Sequence, residues 1–541
     1  MDRFLQLFGR FVQFSYAAWD RIVLRGYYER LQRPENIVFF FRTVCGQRCI
    51  TPEVLAARTV GYRRWVESYA KRHAVPLITP PAGTRKEEFV GRFYQRYRQQ
   101  EGVVVILKSM EQSPTFISYE PRYRPASGDD DYRLIKRASK RFLHYYFYVM
   151  DPVMGPMSLC VSSYLPFGVN CYMNGHSYLA QHLQRAGIRF RKDENAIVSC
   201  ADPERLAEIA AGLDEAILGK RAEYWALRLA PSFRDHERSV CRLQYQWSMA
   251  QMEFARNVIF RRRARLHELF QRAIEIGVAL GGATQTRHIF GRRISRRYDG
   301  KLETTLERRD EGFPVLRAYY KSSYVKQYEK GDRLLRTETC LNDTYHLGIG
   351  RKLHNLPAVQ ERLAATTDRY LAQQAELLDS TVDTGALARL ASPITTAARR
   401  VPGIKLHDDR VIRLLETLLH GGGLVGEWTT RDLHERVLRR HRLSDQDYTL
   451  GQLRYDLGKL RAHGLAERLG TSRRYRLSRD GVRLGALLVK VRTRLLGPIF
   501  ADDIVRDGGR SANPSVVEGA LRGVDQALDA LCATLGLRAA A

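Results

Sequence analysis

Long uncharged apolar runs are missing from the 541-residue sequence, and a membrane-spanning helix would need about 18 such residues. Charged side chains also interrupt the first ten residues too often for the apolar core of a signal peptide. The amphipathic pattern of this start is typical of a helix that packs on a protein core. We therefore expect a cytoplasmic protein that does not associate with a membrane.

Cysteine is also scarce, with eight residues scattered along the chain. Cys45 and Cys49 lie close together, but no second Cys or His pair follows at the spacing of a zinc site. Scattered cysteines in a long chain indicate reduced thiols, which fits the cytoplasm.

Several signatures of common enzymes are absent. The sequence contains no G-x-x-x-x-G-K-[ST] loop, no G-x-S-x-G elbow and no H-E-x-x-H pair. The segment Gly348–Lys352 is too short for a nucleotide-binding fingerprint. These absences argue against an ATP-driven motor and against the usual classes of hydrolase.

Positive charge is the most prominent feature that is present. Lys and Arg total 88 and Asp and Glu total 59, so the formal net charge is +29, and the pI is near 9.9. A surface this basic repels itself unless it binds an anionic partner, and nucleic acid is the usual one for a protein without a membrane segment. A hydrophobic content of 44% still allows packed cores.

The order of patterns predicts an α+β, multidomain fold with a mixed or antiparallel sheet body, long helices and a C-terminal winged helix-turn-helix domain. An acidic turn at Ser127–Asp131 marks the first boundary. The predicted domains are an N-terminal α/β domain (1–130), a central α+β domain (131–380) with an antiparallel meander (299–343), a linker (381–405), a winged-helix domain (406–490) and a C-terminal helical tail (491–541).

Local patterns place the individual elements. Short apolar or aromatic runs predict strands, and apolar residues at helical spacing predict helices. Asn-Gly at 174–175 predicts a tight turn. Predicted strands lie at 36–41, 103–107, 142–148, 157–164 and 168–173, and predicted helices at 51–72, 85–99, 177–186, 203–226, 244–277 and 357–378.

Residues 406–490 read as three helices followed by a short hairpin with a basic tip, and the stretch Leu457–Gly481 resembles MarR-like and related bacterial regulators. That resemblance implies a recognition helix for the major groove of DNA and a wing that contacts the neighbouring backbone. Duplex DNA is the favoured partner, and protein contact and RNA are the alternatives. The predicted nucleic-acid contacts are Arg454 and Lys459 on the helix and Arg473, Arg474 and Arg476 on the wing.

The meander contains the pattern K-x-Y-E-K, a turn and L-R-x-E between Lys326 and Glu338, which resembles strand pairs of replication initiators from filamentous phages and rolling-circle plasmids. The resemblance implies that Tyr328 or Tyr324 attacks a DNA phosphodiester and that Glu338 holds a metal ion such as Mg²⁺. The His-hydrophobe-His metal motif of those enzymes is absent, so the metal ligands stay unassigned.

Two non-catalytic interpretations of the same meander remain open. Alternation places Lys326, Tyr328 and Lys330 on one sheet face, and Arg336 and Glu338 share a face of the next strand. Such a face can bind nucleic acid through stacking rings and cations, or it can be an ordinary structural sheet.

The predicted helix at 244–277 supplies another candidate set. Trp247 and Gln251 share a helix face, Glu253 lies to one side, and with Asp193 and Glu338 it would complete a three-carboxylate site for attack on phosphorus. The basic run Arg261, Arg262 and Arg263 follows and predicts nucleic-acid contact. At Asn174-Gly175-His176, a simple turn is favoured over a catalytic histidine.

The chain as a whole resembles an abundant, functionally uncharacterised family of bacterial proteins. The matching residues are Asp20–Gly26, Pro166-Phe167, Asn174-Gly175, Trp247-Ser248 with Gln251 and Glu253, the Lys326–Glu338 meander and the winged helix.

Together, these features predict a DNA-processing factor of a mobile genetic element, resembling a replication initiator or a transposase and able to form a homo-oligomer. Metal-dependent nicking or strand transfer is the activity that this hypothesis implies. A non-catalytic DNA-binding regulator and the protein component of a ribonucleoprotein with a structured RNA are the alternatives.

Overall fold

The computed structural model describes residues 1–81, 83–84, 86–96, 101–121, 133–281, 304–308, 314–378, 386–396, 400–405, 408–420, 428–470, 472–492, 523, 526–527 and 530. The chain divides into two compact units, and both are discontinuous in sequence. We call residues 15–257 and 340–364 the sheet unit, and residues 1–14, 258–339 and 365–541 the C-terminal unit. Within the described part of the chain, no helix combines the length and the apolar character needed to cross a membrane.

The fold mixes helices with a large mixed sheet. The strands are β1 (Val12–Tyr28), β2 (Leu77–Ile78), β3 (Gly102–Tyr119), β4 (Leu134–Asp151), β5 (Gly155–Ser162), β6 (Val169–Asn174), β7 (Phe190–Asp193), β8 (Ala196–Cys200), β9 (Tyr245–Phe260), β10 (Thr304–Arg308), β11 (Pro314–Tyr320), β12 (Ser323–Lys330), β13 (Leu334–Leu341), β14 (Ile394–Thr395), β15 (Arg400–Val401), β16 (Trp428–Thr429), β17 (Ala466–Arg468) and β18 (Arg474–Leu477).

Helices occur in both units. They are α1 (Asp2–Phe8), α2 (Pro34–Phe39), α3 (Pro52–Arg72), α4 (Lys86–Arg96), α5 (Gly175–Arg185), α6 (Pro203–Ala211), α7 (Glu215–Leu229), α8 (Asp235–Cys241), α9 (Arg263–Gly281), α10 (Leu356–Leu378), α11 (Ala386–Ala391), α12 (Asp409–Leu418), α13 (Thr430–His441), α14 (Leu450–Ala462) and α15 (Arg479–Val491).

In the sheet unit the strand order is β9-β1-β6-β5-β4-β3-β2. Strand β2 runs parallel to β3, whereas the β3–β4, β4–β5, β5–β6 and β1–β6 pairs are antiparallel. The long β3–β4 hairpin keeps its register except for one irregularity between Val103 and Val105. Side chains such as Ile22, Phe147 and Leu159 are fully buried in this unit.

The predicted strand at 36–41 is wrong, because this segment is helical. Pro34 opens α2, and a π-helical turn continues it over Phe40–Val44. Ile37, Phe40 and Phe41 are buried, whereas Phe39 is 46% exposed. Spacing of three and four residues between the buried side chains is helical, and the continuous apolar run concealed it.

The predicted helix at 244–277 is also wrong over its first half, which forms strand β9 before α9 begins at Arg263. Most of the second half of β9 is buried on both faces, so the two-residue alternation of a strand is hidden in the sequence. The single helix predicted at 203–226 is instead two, α6 and α7, with Asp202 and Asp214 as their N-caps.

The Asn-Gly pair at 174–175 joins a strand to a helix and does not form a hairpin turn. Asn174 caps α5, and its side-chain oxygen accepts a hydrogen bond from the Ser177 amide at 3.1 Å. Gly175 is required for close packing, because a Cβ atom there would lie 2.1 Å from the carbonyl oxygen of Trp19. The strand and the helix predicted on either side of this pair are confirmed, and the chain passes directly from β6 into α5.

The predicted meander and the long helix after it are confirmed as β10–β13 and α10. Helices α12, α13 and α14 are followed by a small sheet with the order β16-β18-β17. Their apolar side chains, including Leu414, Leu433, Leu453 and Leu457, form one buried core. The predicted turn at 127–131 and most of the predicted tail lie outside the described residues.

Candidate nucleic-acid interface

The segment 408–491 is built from helices with clear N-terminal caps. The side chains of Asp408, Thr429, Thr449 and Ser478 accept hydrogen bonds from backbone amides at the starts of α12, α13, α14 and α15. Thr449 also forms a reciprocal capping box with Gln452. The second of the three predicted helices is thus capped by Thr429.

Helix α14 has two distinct faces. Leu453, Leu457 and Leu460 are buried against the core described above. The opposite face exposes Gly451, Arg454 and Arg461, and it also exposes Tyr455, whose side chain is 43% accessible. Arg454 therefore lies where the sequence predicted, on the outer face of the helix.

Lys459 does not share that face, and this is a correction to the predicted contact set. Its side chain is buried, and the ammonium donates a hydrogen bond to Asp408 at 3.0 Å. The lysine therefore ties α14 to the start of α12 and is not available to a phosphate. Lys459 and Arg454 are both basic residues of α14, and residue type alone does not tell which of them is exposed. The burial of their side chains shows that Lys459 is the inner one.

The one acidic residue of α14 is also removed from the outer face. Asp456 is buried and accepts hydrogen bonds from Arg410 at 3.1 and 2.6 Å and from the Tyr448 hydroxyl at 3.0 Å. Burial, followed by the negative charge of Asp456, raises the pKa of Tyr448, so the hydroxyl remains a donor. The exposed face of α14 consequently presents arginine and tyrosine without an opposing carboxylate.

The three predicted wing arginines differ in their environments. Arg473 is exposed next to the start of β18, whereas Arg474 and Arg476 are half-buried. Arg476 pairs with Glu467 across the β17–β18 ladder at 2.5 Å. Arg473 is therefore the wing arginine best placed for an external anion, and Arg476 has a structural partner.

Helix α13 adds positive charge that sequence analysis did not single out. Arg431, Arg439 and Arg442 are exposed on this helix and at its end. Arg436 instead lies 3.9 Å from the ring centre of Trp428, and burial lowers the pKa of this guanidinium to about 9. The helical periodicity of residues 430–442 would have allowed the exposed arginines to be distinguished from Arg436 in the sequence.

The basic run Arg261, Arg262 and Arg263 links β9 to α9, and all three side chains are exposed. The Arg261 amide donates a hydrogen bond to the carbonyl oxygen of Phe11 at 2.8 Å. Arg263 lies 3.8 Å from Asp332, whose carboxylate is largely exposed. The run therefore occupies a surface of the C-terminal unit, as a nucleic-acid contact requires, although it follows a strand and not the predicted helix.

The predicted catalytic pair Tyr328 and Glu338 does come together, but it is buried. The Tyr328 hydroxyl donates a hydrogen bond to Glu338 at 2.8 Å, and the glutamate is fully buried. Lys326 forms an ion pair with one carboxylate oxygen of Glu338. The Nε atom of Arg336 lies 3.2 Å from the second oxygen, which is the one that accepts the Tyr328 hydrogen bond. Two cations therefore lie next to this one carboxylate.

The other side chains of the predicted platform are mostly inside as well. Arg336 is fully buried and Lys326 is 9% exposed, whereas Tyr324 and Lys330 are half-buried. Tyr324 packs against Tyr319, with ring centres 5.1 Å apart. In the described conformation these strands contain a buried ionic network and do not present Lys326, Tyr328 and Arg336 to a nucleic acid.

Glu253 lies in strand β9 and not on the predicted helix. Side chains of a strand alternate between its two faces, so Trp247, Gln251 and Glu253 lie on the same face of β9. In the predicted helix, Glu253 would have pointed away from the face of the other two. Gln251 donates a hydrogen bond to Glu253 at 2.9 Å, and both side chains are buried. The third carboxylate of the predicted set, Asp193, is the last residue of β7 in the separate β7–β8 hairpin of the sheet unit.

A buried polar cluster in the sheet unit was only partly anticipated. One oxygen of Asp20 accepts hydrogen bonds from Asn174 at 3.1 Å and from Asn195 at 2.7 Å, and it lies 3.3 Å from His176. Asn257 contacts the other ring nitrogen of His176 at 3.4 Å. The sequence singled out Asp20 apart from the pair Asn174 and His176, and the distance along the chain between residues 20 and 174 concealed the contact.

The C-terminal segment thus presents an arginine-bearing outer helix face, while the meander buries Lys326, Tyr328, Arg336 and Glu338. Comparison with known proteins adds nothing to this description, since no family model, curated protein or solved structure matches the chain.

Proposed function

We propose that the protein binds duplex DNA through a C-terminal winged helix formed by residues 408–491. In this proposal α14 is the recognition helix that enters the major groove, and the β17–β18 hairpin is the wing. The order of three helices followed by a hairpin supports the assignment. The fit of a helix into the major groove of B-DNA supports it on physical grounds.

The observation that carries the proposal is the separation of charge on α14. Arg454 and Tyr455 are exposed, whereas Asp456 is buried beneath Arg410 and Tyr448. Gly451 on the same outer face has no side chain, which lets the helix backbone approach a groove closely. Arg473 extends the positive surface to the wing, where backbone phosphates are the expected partner.

We propose that the protein binds and regulates DNA and that no tyrosine attacks a phosphodiester. The Tyr328 hydroxyl is buried and donates to Glu338, which has two cationic neighbours. The non-catalytic regulator is accordingly the form of the DNA-binding hypothesis that these contacts favour. Supercoiled DNA incubated with the protein and Mg²⁺ should remain intact; nicking that Tyr328→Phe abolishes would restore the initiator hypothesis.

Duplex selection from a random-sequence pool, followed by fluorescence anisotropy on the enriched site, tests the binding proposal. The double variant Arg454→Ala/Arg473→Ala should weaken binding by about tenfold or more, because it removes one base-edge contact and one phosphate contact. The control Arg189→Ala/Arg191→Ala removes the same charge from exposed positions of the sheet unit. Equal affinity of the two double variants would contradict the proposal.

A further inference from the structure

A second cationic surface lies in the C-terminal unit, apart from the winged helix in sequence. It contains five exposed arginines, two of which lie over one aromatic ring, and no acidic residue interrupts the segment 261–265. Phe11 carries the ring. We call this surface the Phe11 patch, and its arginines are Arg10, Arg261, Arg262, Arg263 and Arg265.

The ring of Phe11 holds two of these guanidinium groups. The central carbon of Arg10 lies 4.7 Å from the ring centre, and that of Arg265 lies 5.4 Å from it. Phe11 itself packs against the core formed by residues such as Phe260 and Leu266. The ring therefore fixes the position of two cations at the surface and reduces the conformational entropy that they lose on binding.

The backbone holds the remaining three arginines beside that ring. The Arg261 amide donates to the Phe11 carbonyl oxygen at 2.8 Å, and the Phe260 amide donates to the Arg333 carbonyl oxygen at 2.7 Å. These two bonds fix the start of the junction, and α9 begins at Arg263, so Arg261, Arg262 and Arg263 project from an ordered segment. An ordered row of guanidinium groups suits a polyanion better than a single ion.

The acidic groups near the patch are few and exposed. Asp332 is 80% exposed at 3.8 Å from Arg263, and Glu268 is 55% exposed at 2.8 Å from Arg265. Exposed pairs of this kind contribute little free energy and are readily exchanged. Within the described residues, Arg261 and Arg262 have no ion-pair partner, so the local charge is clearly positive.

We infer that the Phe11 patch binds single-stranded nucleic acid, with Arg261–Arg263 on the phosphates and the ring-supported guanidiniums of Arg10 and Arg265 stacked on bases. Planar guanidinium groups stack on unpaired bases, which a duplex does not offer. This inference rests on the proposed function for the class of ligand, nucleic acid. It differs in the surface, which is the Phe11 patch, and in the form of the ligand, which is single-stranded. Because duplex binding requires α14 and the wing, the two sites can fail independently.

The test uses the full-length protein and a fluorescein-labelled oligothymidylate of about 15 nucleotides, which spans a typical single-strand site. The variant Arg261→Gln/Arg262→Gln/Arg263→Gln should lose about tenfold or more in affinity. Its plot of log Kd against log salt should be shallower by about 2, since each lost phosphate contact removes about 0.7 for single strands. The control Arg189→Gln/Arg191→Gln/Arg205→Gln neutralises three exposed arginines elsewhere.

A second variant separates stacking from charge. Phe11→Leu keeps an apolar side chain at the core but removes the ring beneath Arg10 and Arg265, so it should weaken oligothymidylate binding without changing the salt slope. Unchanged circular dichroism checks its fold. Oligouridylate measured in parallel distinguishes RNA from DNA as the preferred strand.

Three outcomes would overturn the inference. The first is a triple variant that binds oligothymidylate as tightly as the control does. The second is a Phe11→Leu variant with unchanged affinity, and the third is an equal loss of duplex and single-strand binding in the triple variant. If Arg454→Ala/Arg473→Ala leaves duplex binding intact while the patch variants lose the single strand, the proposed function fails and the patch assignment stands.

Discussion

The hydroxyl of Tyr328 donates a 2.8 Å hydrogen bond to Glu338, and neither side chain is accessible to solvent. Lys326 and Arg336 approach the same carboxylate from β12 and β13. A nucleophile needs access to its substrate, and a metal ligand needs spare negative charge. The contacts of this pair are instead those of an ionic network that locks two strands together.

Removal of either partner should therefore lower stability and leave DNA binding unchanged. Tyr328→Phe should cost about 1–2 kcal/mol of unfolding free energy, because Glu338 loses one buried donor. Glu338→Gln should cost more, about 3–5 kcal/mol, because two cations lose their buried counter-charge. Denaturation midpoints in urea measure both changes.

The control for this prediction is Tyr345→Phe, since Tyr345 is 63% exposed. It should leave the midpoint unchanged. Wild-type stability in Glu338→Gln would argue against the network, and loss of a strand-cleaving activity in the same variant would return the pair to catalysis.

Two basic residues on α14 should behave in opposite ways. Lys459 is paired with Asp408, so Lys459→Met should lower stability by about 1–2 kcal/mol and leave the salt dependence of DNA binding unchanged. Arg454→Ala should preserve stability and weaken duplex binding. Thermal unfolding and anisotropy titrations at several salt concentrations measure both effects; a shallower salt slope for Lys459→Met would show that the lysine reaches phosphate.

Much of the secondary structure follows from local pattern. The strands around residues 103–107 and 142–174, the meander and the three C-terminal helices all have the expected type. The errors arise where local pattern is ambiguous: Ile37–Phe41 is apolar throughout, and β9 is buried on both faces over most of its second half, so neither shows a readable period. Tertiary packing decides such segments, and a single sequence does not contain that information directly.

The candidate sites show the same division between local and long-range information. The outer position of Arg454 follows from the helix phase, and the exposed run Arg261–Arg263 follows from charge alone. The burial of Arg336 and Lys459 depends on partners elsewhere in the fold, namely Glu338 and Asp408. Charge composition therefore predicts that a basic surface exists, whereas packing determines which cations belong to it.

Two glycines in the C-terminal unit should respond differently to alanine. A Cβ atom at Gly481 would lie 1.8 Å from the carbonyl oxygen of Leu465, whereas one at Gly451 would meet nothing closer than 3.7 Å. Gly481→Ala should therefore force the hairpin away from α15 and cost several kcal/mol, as other packing clashes do. Gly451→Ala should stabilise α14 by about 0.5–1 kcal/mol through helix propensity.

Unfolding of the full chain, followed by hydrogen exchange within residues 450–491, measures both glycine variants. Equal stability of Gly481→Ala and wild type would contradict the close approach. A drop in duplex affinity for Gly451→Ala, at unchanged or greater stability, would support contact between that face of α14 and DNA.

Acid should destabilise the C-terminal helices through His420. Burial, assisted by Arg440 and Arg436, lowers the pKa of this imidazole from 6.5 to about 3. Between these two values the unfolded chain binds a proton that the folded chain does not. The stabilisation is therefore complete above about pH 6.5 and is lost as pH falls, by up to about 1.4 kcal/mol per pH unit.

Burial also lowers the pKa of His441, to about 4, so this residue contributes with the same sign. Hydrogen exchange of α12 and α13 at pH 7 and pH 5, corrected for intrinsic rates, measures the loss of local stability. His420→Gln removes one titrating group and should make the dependence on pH shallower, leaving the contribution of His441. The same pH dependence in wild type and variant would show that the imidazole takes up its proton in the folded chain, so that burial does not exclude the charge.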